Sequence, residues 1–212
     1  MEYGLYWDTC WQDEKPAELY KYLDSYYKMK SKEIDIFKAH NVKNVCDAAC
    51  GFGAYSLAFA SHGFVVWSFD ISETAVEITK RGLEKYGIDS SKVKVASILD
   101  TGYQSEMYDG VIAHAVLDHL TVADANKALG ELYRITRPSG LIMLSFDTAW
   151  EDDFKEEHIM LEDGSMQYTK EARSGMIFHP YDWVEIEAFL HKRNMIYKAV
   201  NFKNEKIVIL QK

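Results

Sequence analysis

The sequence predicts an open, mostly parallel α/β sheet with helices on both faces and an antiparallel hairpin at its carboxyl end. Three observations carry this expectation. Short apolar runs alternate with amphipathic stretches of helical period between Val42 and Phe146, the pattern of strand–helix–strand crossovers. The turn Cys50-Gly51-Phe52-Gly53 joins the first strand to the first crossover helix. Two final strands are separated by only Lys203-Asn204-Glu205, which reads as a hairpin. Five parallel strands and this pair give seven.

The elements follow in order. Residues 1 to 12 hold Tyr3, Tyr6, Trp7 and Trp11 before any clear element. Pro16 opens a helix to about Met29, with Leu19, Tyr22, Leu23 and Tyr26 on one face, and a second runs from about Ser31 to His40. Val42 to Asp47 is the first strand. Gly51 and Gly53 let the backbone turn sharply, and a helix from Ala54 to Ala60 stops at Gly63. Phe64 to Asp70 is strand two, and Ser72 caps a helix reaching Tyr86 and Gly87. Val93 to Ser97 is strand three. Tyr108 to His114 is strand four, and Val116 to Leu120 form a short turn. Thr121 with Asp124 makes a capping box for a helix to Ile135, and Pro138-Ser139-Gly140 turns into strand five, Leu141 to Phe146.

Residues 148 to 180 break this rhythm and read as an insertion, with Asp163-Gly164 as a tight hairpin turn. Asp182 and Glu185 form a second capping box, for a helix to Arg193 that buries Trp183, Ile186, Phe189 and Leu190. Met195 to Phe202 and Lys206 to Gln211 complete the chain. No repeat or linker interrupts it, so residues 1–212 read as one domain. Residues 1–40 read as an amino-terminal helical lid, 41–147 as the ligand-binding core, 148–180 as an insertion suited to recognising a second ligand, and 181–212 as the last helix and hairpin.

Composition narrows the function. The 212 residues are 48% apolar, enough for a sizeable core. A formal net charge of −9 argues against nucleic acid and anionic membranes as partners. No apolar run approaches the roughly 18 residues of a membrane span, and no secretory signal opens the chain. Three cysteines do not make a disulfide framework. The expectation is a cytoplasmic protein. Oligomeric state is not legible.

A strand passing through a glycine turn into a helix offers backbone N–H groups at the sheet's carboxyl edge, where such sheets bind ligands. Asp70 lies 19 positions after Gly51 and ends the second strand. That is close to the spacing of about 20 at which a carboxylate meets a ribose. An adenosine-containing ligand follows. The dinucleotide fingerprint asks for a third glycine where Ser56 stands.

The wording around the turn is more specific: Asp47-Ala48-Ala49-Cys50-Gly51-Phe52-Gly53, then Asp70-Ile71-Ser72, then Arg134-Ile135-Thr136-Arg137-Pro138-Ser139-Gly140. In these motifs the chain resembles the class I S-adenosylmethionine-dependent methyltransferases, in their small-molecule branch. The resemblance covers residues 40 to 147 well and the ends in outline. It implies a Rossmann-like sheet and S-adenosylmethionine as cofactor, with S-adenosylhomocysteine as product. It also implies a small-molecule acceptor, methylated by in-line displacement. Asp47, Ala49, Gly51, Gly53, Asp70, Ile71, Ser97, Ile98 and His114 are the cofactor-binding positions by this resemblance. The family's adenine-contacting acid falls on Ser97, a departure that leaves Ser97 or Asp100 to make that contact. An amino-terminal segment often serves the family as a lid, here residues 3 to 11.

Methyl transfer from a sulfonium needs placement more than acid–base chemistry. His114 is the candidate general base, because an imidazole titrates near neutrality, whereas His119 reads as a packed structural residue. His114, Asp118 and His119 lack the spacing of a metal motif, and Cys46 and Cys50 read as small apolar fillers, so no metal is expected. Tyr6, Trp7 and Trp11 are candidate acceptor contacts in the lid, and Arg173 and Phe178, near Tyr168 and His179, in the insertion. The acidic run from Glu151 to Glu157 reads as a solvated face. Neither the Pro-Pro-aromatic motif of amino-methylating enzymes on nucleic acid nor the Pro-Cys of cytosine carbon methylation appears. Two other readings remain: a non-catalytic S-adenosylmethionine-binding regulator, and a nicotinamide-dependent oxidoreductase, disfavoured by Ser56 and the terminal hairpin.

Overall fold

The computed structural model describes residues 3–201 and 203–212. Its centre is a seven-stranded sheet in the order β3-β2-β1-β4-β5-β10-β9. The inner strands are β1 (Asn44–Ala48), β2 (Val65–Asp70), β4 (Tyr108–Ala113) and β5 (Thr136–Phe146), with β3 (Val93–Val95) at one edge. These five run parallel. β10 (Lys206–Gln211) lies antiparallel between β5 and β9 (Asn194–Val200). Phe202, expected to end the penultimate strand, lies outside the described residues.

Burial explains the strand assignments. All six residues of β4 are buried, as in a strand covered on both faces, whereas β9 alternates exposed and half-buried along its length, as at an edge. Helices α4 (Ala54–Ser61), α5 (Glu73–Lys85) and α6 (Val122–Ile135) make the crossovers. Two apolar clusters form the core on opposite faces of the sheet: Ile142, Leu144 and Val208 meet α6 on one, and Leu141, Met143 and Ile207 join Phe37 and Phe59 on the other.

Several boundaries differ from expectation for local reasons. Residues 3 to 13 form a helix, α1, in the stretch read as lacking an element. Tyr3 at its start and Asp8 at its middle are tied down by tertiary hydrogen bonds, and such docking rather than propensity stabilises short helices. Helix α2 spans Pro16–Tyr26, and α3, Lys32–Ala39, is capped by the Ser31 hydroxyl. Strand β5 begins at Thr136 and passes straight through Pro138-Ser139-Gly140. A register shift against β4 and a positive φ of 62° at Ser139 absorb what looked like a turn.

The insertion folds as helix α7 (Glu151–Lys155) and a separate three-stranded antiparallel sheet of β6 (His158–Met160), β7 (Met166–Tyr168) and β8 (Ile177–Phe178). The expected turn at Asp163-Gly164 is present, with Gly164 at φ +83° and the Asp163 carboxylate accepting from the Ser165 N–H. Helix α8 (Trp183–Phe189) has the full Asp182–Glu185 capping box but stops short of Arg193. At Thr121 only half of the expected box forms. The Thr121 hydroxyl accepts from the Asp124 N–H, while Asp124 turns instead to Tyr3.

Candidate active site

Strand order reverses between β1 and β4, and a cavity of about 250 Å³ opens at the carboxyl edge there. This is the switch point where open α/β sheets bind ligands. Of the residues singled out by sequence, Asp47, Ala49, Gly51, Asp70, Ile71, Ser97, Ile98, His114, Trp7 and Trp11 all line it. Gly53 does not. It caps α4 at φ +83°, and a Cβ there would stand 2.8 Å from Thr79 Cγ2.

The glycine turn is held by buried carboxylates. Asp70 accepts the Gly51 N–H at 2.9 Å and the Ser72 N–H at 3.0 Å, and burial raises its pKa against those two bonds. Asp47 accepts the Ser56 hydroxyl at 2.6 Å, and that hydroxyl lies 2.7 Å from Ser68 Oγ. Ser56, standing where a dinucleotide site has glycine, is thus part of the support for Asp47. Burial pushes the Asp47 carboxyl up to about 6, with the Ser56 hydrogen bond opposing it. Between these acids, Ala49 holds a positive φ of 56°, a conformation costly for any residue with a Cβ. Ser97 stands in the wall with its hydroxyl accepting the Leu99 N–H, while Asp100 is exposed and outside the lining.

Helix α1 covers the opening. The Tyr3 hydroxyl donates to Asp124 and accepts from the Thr121 N–H, and Asp8 caps α5 by accepting from the Ser72 hydroxyl and the Thr74 N–H. Trp11 lies against the glycine turn, so that a Cβ on Gly51 would come within 2.9 Å of its ring. Tyr6 packs edge-on against Trp7 with ring centroids 5.0 Å apart and is not in the cavity lining.

Two histidines reach the cavity from the end of β4. His114 stacks on Tyr55 with centroids 4.3 Å apart, and its Nε2 is 3.1 Å from Glu205 Oε2. His119, near the expected reaction centre by sequence but read as packing, lines the cavity. It sits on a single 3₁₀ turn, Leu117–His119, between Trp7 and Phe178, and its Nδ1 donates to the Ile177 carbonyl. Burial works against its charge, yet Asp118 and Asp147 lift its pKa to about 9.

A second, more polar cavity adjoins the first, and His119 and Lys203 line both. Arg173 and Phe178 line this side cavity with Asp147 and Trp150. Arg173 is already engaged: it pairs with Asp153 at 2.7 Å and lies over the Tyr168 ring. Asp147, Lys203 and Glu205 were not singled out by sequence because they come from separate strand ends, and no local pattern joins them to His119.

Sheet order, glycine turn and cavity together define a class I S-adenosylmethionine-dependent methyltransferase fold. Residues 46–144 match a family described as "Methyltransferase domain". It is 26% identical over 159 residues to an uncharacterized protein of Rickettsia prowazekii, covering 74% of this chain and 58% of that one. It is 32% identical over 111 residues to a tRNA (carboxymethyluridine(34)-5-O)-methyltransferase of Arabidopsis thaliana, covering 51% and 25%. It is 26% identical over 103 residues to a ubiquinone biosynthesis O-methyltransferase of Pseudomonas entomophila, covering 49% and 44%. The chain thus spans between a quarter and three-fifths of these relatives' lengths. A crystal structure of a SAM-dependent methyltransferase from Methanosarcina mazei superposes with a TM-score of 0.69 at 18% identity, covering 86% of this chain and 98% of that one. No described helix is long and apolar enough to cross a membrane.

Proposed function

We propose that this chain transfers a methyl group from S-adenosylmethionine to a small-molecule acceptor. The carrying observation is the meeting of two cavities at His119, one walled by the glycine turn and Asp70, the other polar and open to solvent. In this reading Asp70 holds the ribose, Ser97 and Ile98 the adenine, and Asp47 and Gly51 the amino-acid end of the donor. His114 then borders the sulfonium. The acceptor enters through the side cavity and meets the methyl group between His114, His119 and Trp7. Placement at near-attack distance supplies most of the acceleration. Helix α1 acts as the lid that excludes water.

The net charge of −9 and the acids Asp147, Asp153 and Glu205 in the side cavity disfavour a tRNA acceptor. The ubiquinone-pathway relative supports a small organic one. Three free cysteines suit a cytoplasmic setting. The test is calorimetry with S-adenosylhomocysteine, followed by turnover of labelled donor over a panel of phenols, carboxylic acids and amines. Tight binding with no turnover on any acceptor, with or without added divalent cations, would leave a regulator. Preferential binding of a nicotinamide dinucleotide would overturn the assignment.

A further inference from the structure

We propose that Asp118, His119 and Asp147 form a binding site for a divalent transition metal at the junction of the two cavities. One ligand atom from each lies within 4.8 Å of the others. Asp118 and His119 follow β4 and Asp147 follows β5, so adjacent parallel strands bring them together.

The hydrogen bonding of the cluster is incomplete in a way that a cation completes. A carbonyl can only accept, so the 3.1 Å contact to Ile177 O fixes the proton on His119 Nδ1. Nε2 is then the nitrogen turned to the cluster; it makes no hydrogen bond among the described residues, and a bound cation would take the place of the proton it carries when the ring is charged. Asp147 Oδ2 lies 3.8 Å from it, too far for a hydrogen bond. A ring pinned through one nitrogen to a backbone carbonyl, with the other nitrogen presented, is the usual arrangement of a metal-binding histidine.

Asp118 supplies the second observation. It is fully buried, Oδ2 accepts the Asp147 N–H at 2.7 Å, and Oδ1 has no partner among the described residues. A buried carboxylate oxygen left without a partner is costly. An ion pair between His119 and Asp147 alone would not relieve it, whereas a cation bound through Oδ1 would. One imidazole and two carboxylates suit manganese or zinc better than calcium or magnesium, which favour oxygen alone. His119 and Asp147 both line the side cavity, so the metal's open position would face the acceptor and polarise its oxygen or nitrogen.

Metal binding is read separately from the methyl-transfer assignment, because S-adenosylhomocysteine affinity is an independent measurement. The full chain is titrated with MnCl₂ by calorimetry and by the loss of free-ion electron paramagnetic resonance signal; manganese is used because cysteine thiols compete poorly for it. The expected result is one ion per chain, with affinity at least tenfold weaker in both Asp147→Asn and His119→Gln. Circular dichroism and a cooperative thermal transition show that the variants are folded. No saturable binding below millimolar Mn²⁺, or binding that either folded variant leaves unchanged, overturns the proposal.

Discussion

Tyr3 and Asp124 lie 121 positions apart and meet in a 2.7 Å hydrogen bond that fastens the start of α1 to the first turn of α6. The same phenol oxygen accepts the Thr121 N–H, a donor that Asp124 itself would satisfy in an ordinary capping box. The helix over the cavity is therefore latched by a group that also completes the cap of α6. Tyr3→Phe removes both bonds and keeps the ring. The expected outcome is a loss of about 1–2 kcal/mol and faster proteolysis within residues 3 to 13. Release of S-adenosylhomocysteine should also quicken, as stopped-flow fluorescence of Trp7 and Trp11 would show. Unchanged release would mean that the latch does not govern access.

Ala49 offers a test of strain in the cavity wall. At φ 56° its Cβ costs about 1–2 kcal/mol, and glycine would remove that cost. Glycine also gives the unfolded chain more freedom, which offsets about 0.4–1 kcal/mol. Ala49→Gly is expected to raise Tm by up to about 4 °C and to leave the cavity open to the donor. A lower Tm would show that the Cβ packs favourably enough to outweigh the backbone.

Asp70→Ala is expected to weaken S-adenosylhomocysteine binding by at least tenfold in calorimetry. In the proposed reading it removes charge-assisted hydrogen bonds to the ribose, each worth about 1.5–3 kcal/mol. The structure adds a second cause, because Gly51 and Ser72 also lose the acceptor that shapes the glycine turn. Free adenosine, which has the ribose but not the amino-acid end, should weaken as well. Loss confined to S-adenosylhomocysteine would place Asp70 away from the ribose.

The strands, the glycine turn and Asp70 were legible because each is written locally, as an apolar run, a pair of glycines or a residue at a fixed spacing. The Ser72 and Asp182 caps were legible for the same reason. What was not legible depends on groups distant in the chain. Helix α1 forms where Tyr3 and Asp8 find Asp124, Ser72 and Thr74. His119 looks like filler until Ile177, 58 positions on, orients its ring and Asp147 arrives beside it. Pro138-Ser139-Gly140 has the composition of a turn, yet pairing between β4 and β5 draws it into a bulged strand. Local pattern placed the cavity beside the glycine turn, and tertiary pairing built the side cavity.

Asp47 makes a prediction in pH. Its carboxyl titrates near 6 in the folded chain against an ordinary value of 3.8, because burial disfavours the charged form. A pKa raised on folding contributes stability that is fully present below 3.8 and is lost as pH rises through 6. Acidification from pH 7 to 5 therefore does not unfold the chain through Asp47. If Asp47 meets the donor's α-ammonium, the bound state favours the carboxylate and its pKa falls. Affinity for S-adenosylhomocysteine should then be flat above pH 6 and decline below it, by up to about tenfold per unit. The ligand's own amine stays protonated throughout this window, so the decline reports on the protein. Asp70 is also buried with a raised pKa and shares the wall, so Asp47→Asn decides between the two. A flat profile from pH 5 to 7 in that variant assigns the effect to Asp47. A decline that persists moves it to Asp70 and takes Asp47 out of contact with the ammonium.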